Sequence, residues 1–337
     1  MVSEPAGDGE RVPREPAPGD GRLPREPAAG DGRLAREPAA NDRVVPHAGF
    51  VALAGRPNVG KSTLVNAMVG RKVAIVSDKP QTTRRAIRGV ATGRDVQLVL
   101  VDLPGVQRPR DALTERMQRR VERELKDADA ALMVLNGEEG VGPGDRWIAA
   151  LLAAAPVPVV IAVNKIDRLD PSRLIAVLSA AAELGIADDI FPVSARKGEG
   201  VLELRAHLGG LVPESPFFFP PEDDSDQSEE QLLAELVREQ VLRRTFQEVP
   251  HSVEVVVDEI TELREGLTRV HGMIWVEAES QKGILIGAHG KMIKQIGTAA
   301  RKELQRELDT QVHLDLSVRV RKGWRGDERA LDRLGIE

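Results

Sequence analysis

A chain of 337 residues has room for two domains of ordinary size and some further material, and 41% hydrophobic with 30% charged residues suits folded domains rather than wholesale disorder. The net charge of −6 supplies no overall basic field, so a nucleic-acid site has to be local; the absence of cysteine excludes disulfides, thiolate zinc sites and thiol nucleophiles. Residues 1–45 repeat Arg-Glu-Pro-Ala at 14–17, 25–28 and 36–39. Pro and Gly fall in every unit and little apolar surface is offered for burial, which predicts a disordered tail.

From 48 to 211, apolar runs alternate with helical patterns. Strands are expected at 50–54, 86–92, 96–101, 130–135, 157–163 and 189–193, and helices at 61–69, 112–126, 144–154, 172–184 and 200–208. Such alternation predicts an α/β domain, a mostly parallel sheet with helices on both faces and ligands at the carboxyl ends of its strands. No apolar core follows a basic leader at the N-terminus, and the stretch 147–163 is short for a membrane span and broken by Pro156 and Pro158. A buried helix followed by a buried strand accounts for it better. The expected location is the cytoplasm, with peripheral contact at the inner face of the cell membrane left open.

Gly55-Arg56-Pro57-Asn58-Val59-Gly60-Lys61-Ser62 lies between a strand-like and a helix-like run, the context in which GxxxxGK[ST] becomes a phosphate-binding loop. Its backbone N–H groups and the start of the helix at Thr63 face phosphate oxygens, Lys61 adds a point charge, and the Ser62 hydroxyl can ligate Mg²⁺. Asp102-Leu103-Pro104-Gly105 closes a strand, so the carboxylate can hold Mg²⁺ through water and the Gly105 N–H can reach a γ-phosphate. Asn164-Lys165-Ile166-Asp167 ends another strand. A carboxylate at Asp167 accepts from guanine N1–H and the exocyclic amine, a donor pair adenine lacks. Lys165 can lie along the base and Asn164 can tie this loop to the phosphate loop. Ser194-Ala195 ends the next strand, where the Ala195 N–H is expected to meet guanine O6. The loop 77–85 should carry a threonine that meets Mg²⁺ only with a γ-phosphate present, an order–disorder switch, and Thr83 is preferred to Thr82.

Residues 212–228 break every period and predict a linker, with Phe217, Phe218 and Phe219 anchoring it on a neighbouring surface. After it, 229–246 reads as an amphipathic helix with Leu232, Leu233, Leu236, Val237, Val241 and Leu242 on one side. Strands near 252–261 and 268–279, a helix, a glycine break at 287–290, a longer helix to about Leu308 and a strand at 312–320 complete a small α+β domain over 229–337. Gly287-Ala288-His289-Gly290 between apolar helical turns fits the GxxG loop of a KH module, which clamps the backbone of about four nucleotides. Lys282, Lys291 and Lys294 stand near that loop, and Arg301, Lys302, Arg319, Arg321 and Lys322 enrich the same region. His289 reads as an exposed loop residue. The charged residues of 323–331 read as a solvated helix face.

The ordered set GRPNVGKS, QTTRR, DLPG, NKID and SAR, followed by the GxxG segment, resembles the Era-type GTPases over about 48–337. The resemblance implies a Ras-like G domain that binds GTP and GDP with Mg²⁺ and hydrolyses GTP slowly. It also implies a KH domain that binds single-stranded RNA near the 3′ end of small-subunit ribosomal RNA, and a monomer that assists small-subunit maturation. Val106 stands where Ras-type enzymes carry the water-orienting Gln, and Gln107 is one residue too late. That places the chain with members bearing a hydrophobic residue there, in which an Asn at the position of Asn58 helps bind K⁺; hydrolysis is then expected to need K⁺ or a ribosomal partner. Lys61, Asn58 and Thr83 are the expected catalytic residues. Other readings are an RNA-binding assembly chaperone with incidental hydrolysis, or a membrane-peripheral cell-cycle GTPase.

Overall fold

The computed structural model describes residues 45–79, 82–105, 112–187, 189–246 and 249–336. The repeat segment, Val106 and Gln107 lie outside these. The first domain consists of β1 (His47–Ala54), α1 (Lys61–Val69), β2 (Ile87–Thr92), β3 (Val96–Asp102), α2 (Ala112–Asp127), β4 (Ala130–Asn136), α3 (Pro143–Ala153), β5 (Val159–Asn164), α4 (Pro171–Ala182), β6 (Ile190–Pro192) and α5 (Val201–Gly209). Its sheet runs β2-β3-β1-β4-β5-β6, with β2 antiparallel to β3 and every other pairing parallel.

Strand alternation explains why both sheet faces are dry. Val51, Leu53, Leu98, Leu100, Leu132 and Val134 point to the side covered by Leu64 and Met68 of α1 and Leu204 and Leu208 of α5. Their neighbours Ala52, Ala54, Val101, Met133 and Leu135 point the other way, under Val121 of α2, Ile148 and Leu152 of α3 and Ala181 of α4. The run 147–163 divides into α3 and β5 as expected, and among the described residues no helix is long and apolar enough to cross a membrane.

The linker 212–228 runs along the β2–β3 side of the sheet. Buried Gln97 accepts the amides of Phe218 and Phe219 at 2.8 and 3.0 Å, and the Phe218 ring lies 5.1 Å from that of Phe50. The second domain follows as α6 (Glu229–Arg244), α7 (Val249–Ser252), β7 (Glu254–Arg264), β8 (Leu267–Val276), α8 (Glu279–Ile286), α9 (Lys291–Glu307), β9 (Gln311–Val320) and α10 (Glu328–Arg333). β7 pairs antiparallel and β9 parallel with β8. One face of this sheet meets α6, α8 and α9 through Leu233, Val237, Leu285, Ile296, Ala300 and Leu304.

Two features differ from the sequence reading. α6 is not a half-exposed amphipathic helix: Glu235, Arg238 and Glu239 on its polar side are as buried as Leu233 and Val237, because the loop between α1 and β2 covers them. The closing segment is more than a solvated face. Ala330, Leu331, Leu334 and Ile336 are buried with Trp275 and Trp324, against Leu113 and Met117 of α2. Its short apolar stretch fell below what a periodicity argument detects.

Candidate functional site

The carboxyl ends of β1, β3 and β5 deliver the three nucleotide motifs to one crevice, at the point where strand order reverses around β1. Gly55 to Gly60 join β1 to α1, and the first residue of α1 is Lys61. The Lys61 ammonium is buried and donates to the carbonyls of Gly55 and Arg56 at 3.1 and 3.3 Å. Ser62 Oγ lies 3.1 Å from Thr83 Oγ1 and donates to Asp102 Oδ2 at 2.6 Å, and Thr83 donates to the same oxygen at 3.2 Å. Thr82 does not join this cluster; its hydroxyl donates to the Lys79 carbonyl at 2.7 Å.

Two hydroxyls and a carboxylate thus converge from the phosphate loop, the α1–β2 loop and the end of β3. Asp102 Oδ1 is buried with no hydrogen-bond partner, an acceptor that a cation or its water would satisfy. Burial pushes the Asp102 carboxyl above its ordinary value, against the pull of Lys61, Ser62 and Thr83, and pushes Lys61 below its own against Asp102. The donor set, all oxygen with one carboxylate, fits a hard cation such as Mg²⁺. Gly105 closes in from the other side: a Cβ there would stand 2.8 Å from Pro57 Cγ, so only glycine allows the turn after Asp102 to lie on the phosphate loop. Pro57, Asn58, Gly60, Lys61, Ser62, Thr63, Thr83, Gly105 and Lys165 line a cavity of about 340 Å³ here.

Asn164 stitches the base-side loops to the phosphate loop. Its Nδ2 donates to the Val59 carbonyl at 2.9 Å, and its Oδ1 accepts the amides of Lys165 at 2.8 Å and Ala195 at 3.0 Å. The Ala195 N–H is therefore engaged with Asn164, contrary to the expectation that it faces guanine O6. Lys165, in the left-handed region at φ 69, donates to the Asn58 carbonyl at 2.9 Å. Ser194 Oγ donates to Asp167 Oδ1 at 2.7 Å, and this bond, foremost, holds the Asp167 carboxyl below its ordinary value.

Several motif residues contribute backbone only. Val59 and Leu103 are buried in the two cores of the sheet and Pro104 is buried beside them. The Arg56 side chain turns away to Asp145 and Glu139 of the α3 region, at 2.9 Å each. Sequence reasoning missed Ile75, Val76 and Arg168, which also line the cavity with Ser77 and Asp78 of the expected 77–85 loop. Arg168 directly follows Asp167, the residue expected to read the base, a signal that was there to be used; Ile75 and Val76 become visible only once the α1–β2 loop folds over the pocket.

In the second domain Gly287 has φ 69 and ψ 173, a region open only to glycine, and a Cβ there would meet Met292 Cβ at 2.8 Å. That turn ends α8 and aims the exposed Ala288 and His289 outward, followed by the start of α9 at Lys291. Lys291 and Lys294 share a groove of about 680 Å³ with Arg243 and Arg244 of α6 and Lys302 and Arg306 of α9. Lys282 lies on α8, where Ile284 is half exposed. Arg243, Arg244 and Ile284 were not singled out from the sequence, since their nearness to the loop depends on how α6 and α8 pack on α9. Among the described residues no His, Asp or Glu group is placed to hold a metal ion on acidic and imidazole ligands alone.

A family model described as a 50S ribosome-binding GTPase matches residues 50–165, and a KH-domain model matches 248–325. The chain is 45% identical over 296 residues to GTPase Era of Mycobacterium tuberculosis (strain ATCC 25618 / H37Rv), covering 86% of this chain and 99% of that protein. GTPase Era of Mycobacterium sp. (strain JLS) is 45% identical over 294 residues, with 86% and 98% covered. Among solved structures, Era in complex with MgGDPNP and nucleotides 1506–1542 of 16S ribosomal RNA superposes with a TM-score of 0.83 at 33% identity, covering 86% of this chain and 99% of that one. A variant of Aquifex aeolicus Era bound to GDP and AlF₄⁻ gives 0.81 at 33% identity, with the same coverage. With this identity spread along nearly the full length of its relatives, over a P-loop GTPase domain joined to a KH domain, the chain belongs to the GTPase Era family.

Proposed function

We propose that this GTPase is a switch that binds small-subunit ribosomal RNA near its 3′ end and assists assembly of the small subunit. The observation that carries the reading is the meeting of Ser62, Thr83 and Asp102 within 3.2 Å of one another in the same chain as a GxxG turn flanked by basic residues. The solved Era complex, which holds MgGDPNP and a 16S ribosomal RNA segment together, supports both halves.

In this reading Ser62 and Thr83 offer their hydroxyls to Mg²⁺ and Asp102 holds it through water. The bound cation supplies positive charge at the β- and γ-phosphate oxygens. Lys61 sits beneath the same oxygens, and the Gly60 and Gly105 amides complete the cradle, so that negative charge developing in phosphoryl transfer is met by fixed donors. Asp167 reads guanine through its two oxygens while Ser194 fixes the carboxylate's orientation, and Lys165 packs along the base. Thr83 reaches the pocket from a loop, which makes it the residue that distinguishes GTP from GDP.

Asn58 supports a K⁺ requirement. It is held in the left-handed region at φ 64, and its amide nitrogen donates to the Asp78 carbonyl at 2.8 Å, so its amide oxygen is the atom a monovalent cation would use. The KH half is assigned the clamp: Gly287, Ala288, His289 and Gly290 hold the sugar–phosphate backbone, with Lys282, Lys291 and Lys294 supplying charge. Equilibrium binding of GTP and ATP, together with crosslinking to total RNA in GDP and in a GTP analogue, tests the whole. GTP selectivity with nucleotide-dependent reads at the 3′ end of small-subunit RNA is the expected result; equal uptake of ATP, or no such reads in either state, would refute it. GTP turnover with and without K⁺ in wild type and Asn58→Asp tests the cation, where an unchanged K⁺ response in the variant removes the role of Asn58.

A further inference from the structure

The loop that brings Thr83 to the phosphate end of the pocket is held, for most of its length, by the other domain. Near its start, Lys72 pairs with Glu239 of α6 at 2.6 Å, and the Val76 N–H donates to the same carboxylate at 3.0 Å. Ile75 is buried within the apolar core of the second domain. Closer to Thr83 the grip tightens on both sides. The Thr82 carbonyl accepts from Arg238 of α6. The Arg84 guanidinium reaches into β7 and α7, donating to Glu254 Oε2 at 2.8 Å and to the carbonyls of Val253 and Pro250. Trp324 covers it at 5.5 Å. Arg84, Arg238 and Glu254 are all 3% exposed or less.

Burying so many charges to join two domains is costly when apolar contacts would serve, and in some proteins such groups serve to specify one geometry. What lies between the two held residues is Thr83. Its hydroxyl meets Ser62 and Asp102 from a backbone held at Thr82 on one side and at Arg84 on the other. We infer that Arg84, Glu254 and Arg238 are positioning residues for the GTPase reaction: the RNA-binding domain holds Thr83 in place, so the triphosphate end of the pocket is completed by both domains. This rests on the reading of Thr83 as the residue that distinguishes GTP from GDP. It goes beyond that reading by placing part of the GTP-specific site in the KH half, outside every nucleotide motif.

A hydrogen-bonded cluster can also be mere domain glue, and the test separates the two. The ratio of affinities for a non-hydrolysable GTP analogue and for GDP is measured on the full chain for wild type, Thr83→Ala, Glu254→Gln and the double variant. A positioning role predicts that Glu254→Gln weakens analogue binding relative to GDP by about tenfold, the size of one charge-assisted contact. It also predicts that the double variant loses no more than Thr83→Ala alone, because both changes remove the same contact. A ratio equal to wild type in Glu254→Gln, or additive losses in the double variant, overturns the inference while leaving the nucleotide site intact. A wild-type ratio in Thr83→Ala overturns the assignment of Thr83 and the inference with it. Should Glu254→Gln not fold, Arg84→Lys keeps the buried charge but cannot span Glu254 and both carbonyls. It must then show the same selective loss, and an unchanged ratio there overturns the inference.

Discussion

In the function proposed above, base selection comes down to one carboxylate whose charge and direction are both fixed. Asp167 accepts from Ser194 with one oxygen, and this bond foremost holds its pKa below the ordinary value, so it is ionised throughout the neutral range and donates to nothing. Replacing it by Asn substitutes a donor for an acceptor where guanine presents two donors. Asp167→Asn is therefore expected to lose GTP affinity by about a hundredfold or more, while gaining affinity for xanthosine triphosphate, whose 2-oxo group accepts from the new amide. Competition binding with the two triphosphates checks this, and equal losses for both would point to a collapsed loop instead. The threonine pair separates as cleanly. Thr82 spends its hydroxyl on Lys79 and Thr83 spends its own on Asp102, so Thr83→Ala should lower GTP turnover sharply and Thr82→Ala by only a few-fold, about the effect of one neutral hydrogen bond.

At the scale of elements, what could be read from the sequence was what is contiguous along it. The phosphate loop, the Asp102 turn and the Asn164–Asp167 loop each carry their chemistry within a few residues of a strand end, and β1, β3 and β5 end within one or two residues of where apolar patterning put them. Nothing local marks Arg84 as the partner of Glu254, or Glu239 as the acceptor of Val76, because these pairs are joined only by packing and each residue alone reads as an ordinary surface charge. α6 shows the limit. Spacing told which of its residues are apolar, not that the polar remainder would be covered. The short α10 was hidden for a related reason, since an isolated Ala330-Leu331 pair has no period. The GxxG element yields a prediction of its own. Gly287 and Gly290 both sit at positive φ and cannot take a side chain without strain, whereas Ala288 is exposed. Ala288→Asp should consequently weaken RNA binding by about tenfold through charge repulsion with phosphate while leaving the melting temperature and GDP affinity unaltered. Electrophoretic mobility shift and thermal denaturation on the same preparation decide it; a lowered melting temperature would mean the loop matters for folding rather than for contact.

Taken whole, the molecule joins its two domains through a buried ionic cluster and an apolar one, and the ionic part makes their union sensitive to acid. Burial alone would push Glu254 up; Arg85, Arg238 and Arg84 around it outweigh this and hold it at about 2. Its ordinary value is 4.5, so the unfolded chain takes up a proton before the folded one does. Glu254 then contributes stability in full above about pH 4.5, and that contribution fades as pH falls toward its folded value. Glu254→Gln removes the charge at every pH and takes from Arg84, Arg85 and Arg238 the buried carboxylate they share. The variant is expected to lie on the order of 3 kcal/mol below wild type at neutral pH, the cost of breaking a buried pair. The gap should narrow steadily below about pH 4.5, because wild type loses there what the variant never had. Urea unfolding of both chains between about pH 7 and about pH 3 measures this directly. A gap that stays constant across that range would mean that Glu254 is held by packing and not by the arginines, and that the two domains are joined chiefly by the apolar contact of Trp324 and Leu331 with α2.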